Sequence, residues 1–194
     1  MIILISASPR RRELLSMIYP EVIYDVSSAD EPMDEKDPEK LVIKSARVKL
    51  KDRMHSYRAG ILLASDTLVY CDGILGKPRD REEAYDMLSR LAGRTHEVYT
   101  SLVLHDRNSG KLVEDAVVTK VKFAPMTSRE INTYLDTGEY KDKAGAYGIQ
   151  GYGSVFIEAI EGDYFNVMGL PLNRLYEILR DEFDLNMLES EDSF

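Results

Sequence analysis

A carboxylate and a lysine that follow a short apolar run are the first candidates for chemistry in this sequence. The run Ile61–Ala64 leads into Ser65-Asp66-Thr67, and Gly76-Lys77-Pro78 follows soon after. Such a run is typical of a buried strand, so Asp66 is expected at a sheet edge, where open α/β sheets place their active sites. There Asp66 could bind a divalent cation or take a proton from water, and Lys77 could balance phosphate charge. The alternative is an aspartate that caps a turn beside a surface lysine.

A second charged segment follows the apolar run Ile2–Ile5. Ser8 is expected as the N-cap of a helix and Pro9 as its first residue, which puts the arginines Arg10–Arg12 in the first turn. Free backbone N–H groups, the positive end of the helix and guanidinium groups then converge on one place, which suits a phosphate. Cations at this end oppose the helix dipole, and a bound phosphate would reverse that cost. A basic surface turn is the alternative.

The loop Asp142–Gly153 contains four glycines ahead of the apolar segment Val155–Ile160. Glycines allow a backbone to approach a ligand closely, although their spacing here matches neither the dinucleotide fingerprint nor the P-loop. Tyr147 could stack on a base, and Gln150 offers both a donor and an acceptor to a pyrimidine edge. The alternative is a glycine-rich turn with a core tyrosine.

Candidate metal ligands other than Asp66 are few. Most acids after Asp30 are expected on a solvated face, but Glu31 could share a cation with Asp66. The three histidines show no ligand spacing and are expected to be structural or exposed.

Bulk composition restricts the partners. With 194 residues and 44 % hydrophobic content, the chain fits one domain, or one domain with two lobes. A formal charge of -9 argues against a nucleic-acid backbone or an anionic membrane surface as the main partner, so any phosphate must meet a local basic cluster. No segment approaches the roughly 20 apolar residues of a membrane span. Cys71 is the one cysteine, which suits a reducing cytoplasm, and a cytoplasmic location is expected.

The order of predicted elements indicates an α/β chain with a mixed sheet. Strands are predicted over Ile2–Ile5, Val22–Val26, Ile61–Ala64, a hairpin Val69–Leu75 about Asp72-Gly73, a long antiparallel pair Val98–Leu104 and Val113–Phe123, and Val155–Ile160. Helices are predicted to begin at Ser8, Asp37, Asp80 and Ser128 and to run from Leu172 to about Phe183, with a loop over Asn166–Pro171 before the last one.

Five separated motifs together resemble the Maf nucleotide pyrophosphatases, over Ile2 to about Leu179. They are Ser6-Ala7-Ser8-Pro9-Arg10-Arg11 with Glu13-Leu14-Leu15, then Ser65-Asp66-Thr67, Leu75-Gly76-Lys77-Pro78, Asp142–Gly151, and Gly162-Asp163-Tyr164 through Gly169-Leu170-Pro171. The resemblance implies a mixed, partly antiparallel curved sheet flanked by helices, in two lobes around a cleft, related to the inosine triphosphate pyrophosphatases. A catalytic domain is expected over residues 1–185, followed by an acidic tail over 186–194.

The same resemblance implies a reaction, a cofactor and a set of site residues. The reaction is hydrolysis of a nucleoside triphosphate to the monophosphate and pyrophosphate, with Mg²⁺ or Mn²⁺, by attack of water on the α-phosphorus. Asp66, Lys49 and Lys77 are then the catalytic residues, and Glu31 and Asp66 the metal ligands. Substrate binding falls to Ser8, Arg10, Arg11, Thr67, Lys143 and Gln150.

Three of these residues indicate the substrate. In the family, the branch acting on dTTP and UTP has arginine after the Ser-Pro pair, threonine after the catalytic aspartate and glutamine in the glycine loop, as here in Arg10, Thr67 and Gln150. The branch acting on 7-methyl-GTP has tryptophan, glutamine and glutamate instead, and this chain contains no tryptophan. A non-catalytic nucleotide-binding regulator of septum formation and a triphosphatase for damaged purines are the alternatives, and a homodimer is left open.

Overall fold

The computed structural model describes residues 1–30, 32 and 34–187. The strands are β1 (Ile2–Ile5), β2 (Val22–Asp25), β3 (Ile61–Ala64), β4 (Thr67–Tyr70), β5 (Ile74–Leu75), β6 (Thr95–Asp106), β7 (Leu112–Phe123) and β8 (Ile157–Glu161). The α-helices are α1 (Pro9–Ser16), α2 (Pro38–Arg53), α3 (Arg81–Leu91), α4 (Ser128–Asp136), α5 (Tyr164–Met168) and α6 (Leu172–Phe183). The sheet contains parallel and antiparallel pairs, so the predicted mixed α/β class is confirmed. Across the described residues, no helix has both the length and the apolarity needed to cross a membrane.

The chain divides into two compact units. Unit 1 holds Met1–Asp66, Thr100–Val117 and the C-terminal segment that begins at Gly169, and unit 2 holds Thr67–Tyr99 and Val118–Met168.

Unit 1 is organised around three parallel strands in the order β2-β1-β3, with β6 antiparallel to β3. All four residues of β1 and of β3 are buried, as expected for strands covered on both faces. Helix α2 covers one face, where Ala46 and Leu50 pack against Ile3, Ile5 and Leu62. This packing fixes the helix that carries Lys49 against the strand that leads to Asp66.

Unit 2 contains the β4–β5 hairpin and the antiparallel pair β7–β8. Asp72 and Gly73 form the hairpin turn with φ of 52° and 143°, values that glycine adopts easily and aspartate tolerates. Helices α3 and α4 pack over a core that includes Leu88, Phe123 and Tyr147.

Helix starts follow the sequence closely. The Asp37 carboxylate accepts hydrogen bonds from the backbone N–H groups of Glu39 and Lys40, with Pro38 in the first turn, and Asp80 accepts from the N–H of Glu83. Each satisfies donors that a helix N-terminus leaves without an intrahelical partner.

Two local predictions are wrong in detail, and one helix start carries a cap that was not predicted. Helix α4 begins at Ser128, as predicted, and Thr127 caps it, because the Thr127 hydroxyl and the Glu130 carboxylate form a capping box. The predicted strand Val155–Ile160 begins as a 3₁₀ turn over Gly151–Phe156 and becomes β8 only at Ile157. The predicted loop Asn166–Pro171 includes the end of α5, which starts where the Asp163 side chain accepts a hydrogen bond from the N–H of Phe165 at 2.7 Å.

Candidate active site

The carboxyl ends of the three parallel strands meet at one edge of unit 1. Ile5 is in register with Asp25 on one side and Ala64 on the other, so these three residues end the strands side by side, and Ser6 and Ser65 follow directly. Ligands of open α/β sheets bind at this kind of edge. The predicted position of Asp66, one residue beyond Ser65, is therefore confirmed.

Asp66 forms a largely buried ion pair with Lys49. The Lys49 Nζ lies 2.6 Å from Asp66 Oδ1, and the two side chains are 15 % and 16 % exposed. Charge-assisted bonds of this length are among the stronger hydrogen bonds in proteins. The structure thus brings together two of the three residues expected to be catalytic.

Ser101 fixes the backbone of Asp66. The N–H of Asp66 donates to the Ser101 hydroxyl at 3.1 Å, and the N–H of Ser101 donates to the Asp66 carbonyl at 3.0 Å. The same fully buried hydroxyl donates to the carbonyl of Val42 in α2 at 2.8 Å. One serine therefore connects the turn that carries Asp66 with the helix that carries Lys49.

Arg11 turns back into unit 1. Its side chain is 8 % exposed, and its Nε donates to the Gly169 carbonyl at 2.7 Å. The Ser65 hydroxyl donates to the same carbonyl at 3.4 Å, which places Arg11 beside the turn that carries Asp66. Ser8 is the N-cap of α1, as predicted, with its hydroxyl accepting from the N–H of Arg11.

The other two arginines differ in what they contact. The Arg12 guanidinium donates to the Ser6 carbonyl at 3.4 and 3.2 Å and lies over the Tyr24 ring. Arg10 is half-buried and takes part in none of these contacts. Arg10 is therefore the arginine of this turn best placed to present its charge to an anion.

Unit 2 carries the remaining predicted residues. Thr67 is the first residue of β4, and Lys77 is exposed in the turn after β5. The N–H of Gly145 donates to the Gly76 carbonyl at 3.0 Å, which joins the Lys77 turn to the start of the glycine loop. Lys143 and Lys77 therefore lie on neighbouring turns, and Gln150 is exposed further along the loop.

The glycine loop encloses a carboxylate of the chain itself. Glu139 accepts hydrogen bonds from the backbone N–H groups of Tyr152 at 2.7 Å and Gly153 at 2.9 Å, and from the Tyr134 hydroxyl at 3.2 Å. Lys143 donates to the Glu139 carbonyl. Gly151 makes room for this carboxylate, because a Cβ there would lie 2.3 Å from Glu139 Oε2. The close approach of the loop to a ligand stays a prediction.

Tyr147 belongs to the core of unit 2. It is 5 % exposed, its hydroxyl lies 2.8 Å from His96 Nε2, and its ring packs edge-to-face on His96 and Phe123. The suggestion that Tyr147 stacks on a base is wrong, and the alternative of a core tyrosine is right. The tyrosine instead anchors the loop that carries Gln150.

Metal binding depends on few protein groups. In the part of the chain that the structure describes, no three His, Cys, Asp or Glu side chains cluster closely enough to hold a metal. Glu31, the second ligand predicted from the sequence, lies outside the described residues. Mg²⁺ commonly binds through one or two carboxylates and completes its shell with water and substrate phosphates. Asp66 fits a cation of that kind.

Two residues of the site have no counterpart among the sequence predictions. Ser101 is a small polar residue in an apolar part of β6, and Glu139 follows Gly138 at the end of α4. A serine inside a buried run and an acid near a glycine-rich loop are the only signals, and both are common in proteins without a site.

These features define an α/β protein with a charged site at the carboxyl edge of parallel strands, suited to an anionic ligand. The family described as Maf-like protein matches residues 1–182. The chain belongs to that family.

Relatives of known name cover nearly the whole chain. A dTTP/UTP pyrophosphatase of Alkaliphilus metalliredigens is 46 % identical over 96 % of this chain and 98 % of its own length. A dTTP/UTP pyrophosphatase of Pyrococcus furiosus is 45 % identical over 88 % of this chain and 90 % of its own.

A solved structure shares the fold at low sequence identity. The Staphylococcus aureus Ham1 protein has a TM-score of 0.57 and 12 % identity, with 93 % of this chain and 98 % of that chain covered. The predicted relation of folds is confirmed, and at this identity the likeness concerns the fold alone.

His96 should make the stability of the protein depend on pH. Burial lowers its pKa from 6.5 to about 4, so the unfolded state takes up a proton at higher pH than the folded state does. The resulting stability is fully present above pH 6.5 and is lost as pH falls toward 4, by on the order of 3 kcal/mol in total. The measurement is the free energy of unfolding in urea, at several pH values, for wild type and His96→Gln.

The matched control is His55→Gln, because His55 is exposed. We expect the pH dependence to be reduced between pH 6.5 and 4 in His96→Gln and unchanged in His55→Gln. Equal slopes in wild type and His96→Gln would contradict the assignment.

Proposed function

We propose that this chain is a nucleoside triphosphate pyrophosphatase that hydrolyses dTTP and UTP to the monophosphate and pyrophosphate. The observation that carries the proposal is the buried Lys49–Asp66 pair at the carboxyl edge of the parallel strands, beside the arginine turn of α1. Membership of the Maf-like family and the names of the relatives support the same reaction.

In this proposal Asp66 accepts a proton from the attacking water. The water oxygen forms a bond to the α-phosphorus while the bond from that phosphorus to the α,β-bridging oxygen breaks, and pyrophosphate leaves. Reactions of this kind need mainly positioning and charge neutralisation, so few protein groups suffice. Lys49 offsets the negative charge of Asp66, which would otherwise repel the triphosphate.

A divalent cation, Mg²⁺ or Mn²⁺, fits the oxygen donors of this site. Asp66 would hold it, with Glu31 as the second ligand proposed from the sequence. When bound, such a cation neutralises charge on the phosphate oxygens.

The other substrate contacts are divided by charge and by hydrogen-bonding capacity. Arg10, with Ser8 and the N-terminal N–H groups of α1, is proposed to bind phosphate oxygens, and Arg11 to shape that turn and contribute its positive charge. Lys77 and Lys143 are proposed to add positive charge. Thr67 and Gln150 are proposed to read the pyrimidine.

The remaining expectations concern the chain as a whole. A catalytic domain over residues 1–185 stays a proposal, as does the acidic tail over 186–194, of which residues 188–194 lie outside the described residues. A cytoplasmic location is supported by the free thiol of Cys71. The homodimer stays a prediction that sedimentation of the purified chain can decide.

The direct test is a panel of nucleoside triphosphates assayed for pyrophosphate and orthophosphate. We expect pyrophosphate and a monophosphate from dTTP and UTP with Mg²⁺ or Mn²⁺, and loss of turnover when a chelator removes the cation. Binding of UTP without any pyrophosphate release would instead favour a non-catalytic regulator. Inosine triphosphate as the best substrate would favour a triphosphatase for damaged purines.

Replacing Asp66 with asparagine should reduce turnover by about 10² to 10⁴, the usual contribution of a general base. The substitution keeps the size of the side chain and removes its ability to accept the proton. The measurement is kcat for UTP hydrolysis, with thermal unfolding followed in parallel because the ion pair between Lys49 and Asp66 is lost.

Asp115→Asn is the matched control for this substitution. It removes the carboxylate that pairs with Arg174 at 2.5 Å, also in unit 1, at a position with no proposed role. Full turnover in a folded Asp66→Asn variant would refute the assignment of Asp66 as the general base.

Gln150 should determine the choice of base. Gln150→Glu replaces an amide, which donates and accepts, with a carboxylate that only accepts. We expect kcat/KM for dTTP and UTP to fall about 10- to 100-fold, the range of one or two lost hydrogen bonds, with a smaller change for other nucleotides.

Asn132→Asp makes the same amide-to-acid change on the exposed face of α4 in unit 2 and should leave the ranking of nucleotides unchanged. If Gln150→Glu lowered kcat/KM equally for every nucleotide, the side chain would not read the base.

A further inference from the structure

The carboxylate of Glu139 is held by the loop that carries Gln150. Two successive N–H groups, of Tyr152 and Gly153, donate to its two oxygens at 2.7 and 2.9 Å. Hydrogen bonds from N–H groups to an ionised carboxylate are roughly twice as strong as those between neutral groups. Glu139 therefore fixes the two residues that lie second and third after Gln150.

Helix α4 provides a rigid support for Glu139. The N–H of Glu139 donates to the Thr137 hydroxyl at 3.1 Å, and the hydroxyl of Tyr134 donates to Glu139 Oε1 at 3.2 Å. Tyr134 is 3 % exposed, and its ring packs edge-to-face on Phe156, the last residue of the 3₁₀ turn in which the loop ends. The loop is thus fastened to α4 through one carboxylate and one aromatic contact.

One glycine of the loop is required by the same carboxylate, and two others are required by the backbone of the loop. A Cβ at Gly151 would lie 2.3 Å from Glu139 Oε2, which no real side chain tolerates, and Gly151 also has φ of 80°. A Cβ at Gly148 would first meet the Gln150 carbonyl oxygen at 2.9 Å, and one at Gly153 the Gly148 carbonyl oxygen at 2.4 Å, with Glu139 Oε1 further away at 3.2 and 3.3 Å. Gly151 therefore leaves the space that the Glu139 carboxylate occupies, while Gly148 and Gly153 allow the loop backbone to pack closely on itself.

We propose that Glu139 is a positioning residue for base selection, which holds the glycine loop in the one conformation that presents Gln150 to the pyrimidine. The inference rests on the proposed function. It names Glu139 as the residue that holds the base-recognition loop in place before the nucleotide binds. A loop that is already ordered does not lose conformational entropy when the nucleotide binds. The contribution of Glu139 is therefore expected in the affinity for the nucleotide. Glu139 lies outside the group of residues that do the chemistry.

The test is Glu139→Gln, which keeps the size but turns an NH₂ group toward one of the two backbone N–H donors. We expect amide exchange at Tyr152 and Gly153, followed by NMR, to become at least about tenfold faster as the charge-assisted bonds are lost. We also expect KM for UTP and dTTP to rise about tenfold with kcat within about twofold of wild type, because the change affects binding alone.

Glu130→Gln is the matched control. Glu130 is a carboxylate in the first turn of α4 that accepts a backbone N–H, from Thr127 at 2.7 Å, as part of the capping box of the helix. It should leave both amide exchange in the loop and KM unchanged.

Unchanged exchange in Glu139→Gln, or a rise in KM that Glu130→Gln reproduces, would overturn the proposal. So would faster exchange with an unchanged KM, because the loop would then be loose without any effect on binding. If Glu139→Gln does not fold, Tyr134→Phe removes only the hydroxyl that donates to Glu139 and should shift exchange and KM in the same direction by a smaller factor. A wild-type chain that releases no pyrophosphate would refute the proposed function, while the exchange rates would still decide whether Glu139 holds the loop.

Discussion

The ion pair between Lys49 and Asp66 is the constraint around which unit 1 is arranged. Two charges whose side chains are only 15 % and 16 % exposed must stay paired, since removal of one partner from a buried pair costs about 3–5 kcal/mol. Lys49 comes from α2 and Asp66 follows β3, so the helix and the strand must keep their relative position. Apolar packing of α2 on the strands provides most of that rigidity, and the Ser101 hydroxyl connects both backbones directly.

The arginine turn shows how the chain limits the cost of cations at a helix N-terminus. Arg11 and Arg12 turn their guanidinium groups toward the carbonyl oxygens of Gly169 and Ser6, whose partial negative charges partly compensate the unfavourable helix dipole. From the sequence, a bound phosphate is expected to reverse this cost, whereas in the structure carbonyl oxygens already offset part of it. Only Arg10 takes part in none of these contacts, and for that reason the proposed anion binding at this turn is assigned to Arg10 and the backbone N–H groups.

Local signals in the sequence were sufficient for most of the fold. The apolar runs of β1 and β3, and the N-cap and proline at Asp37-Pro38, specify their elements through nearest neighbours, and the structure has them as predicted. Two of the features that the sequence did not predict come from contacts between distant parts of the chain. Ser101 contacts Asp66 only once β6 has paired with β3. The predicted strand Val155–Ile160 begins instead as a 3₁₀ turn, at the point where the loop closes over Glu139.

The glycine loop also indicates which parts of the proposed site bind phosphate and which part contacts the nucleobase. Two successive backbone N–H groups form a natural anion-binding concavity, but here Glu139 fills the one formed by Tyr152 and Gly153. Those two donors are thus committed to an internal carboxylate and are unsuited to binding a phosphate group. In the proposed site, phosphate recognition is assigned to the N-terminus of α1 and to lysine side chains, whereas the loop, held by Glu139 and by the buried Tyr147, presents Gln150. A rigid loop suits that role, because discrimination between bases depends on hydrogen-bond donors and acceptors that are already in place when the nucleotide arrives.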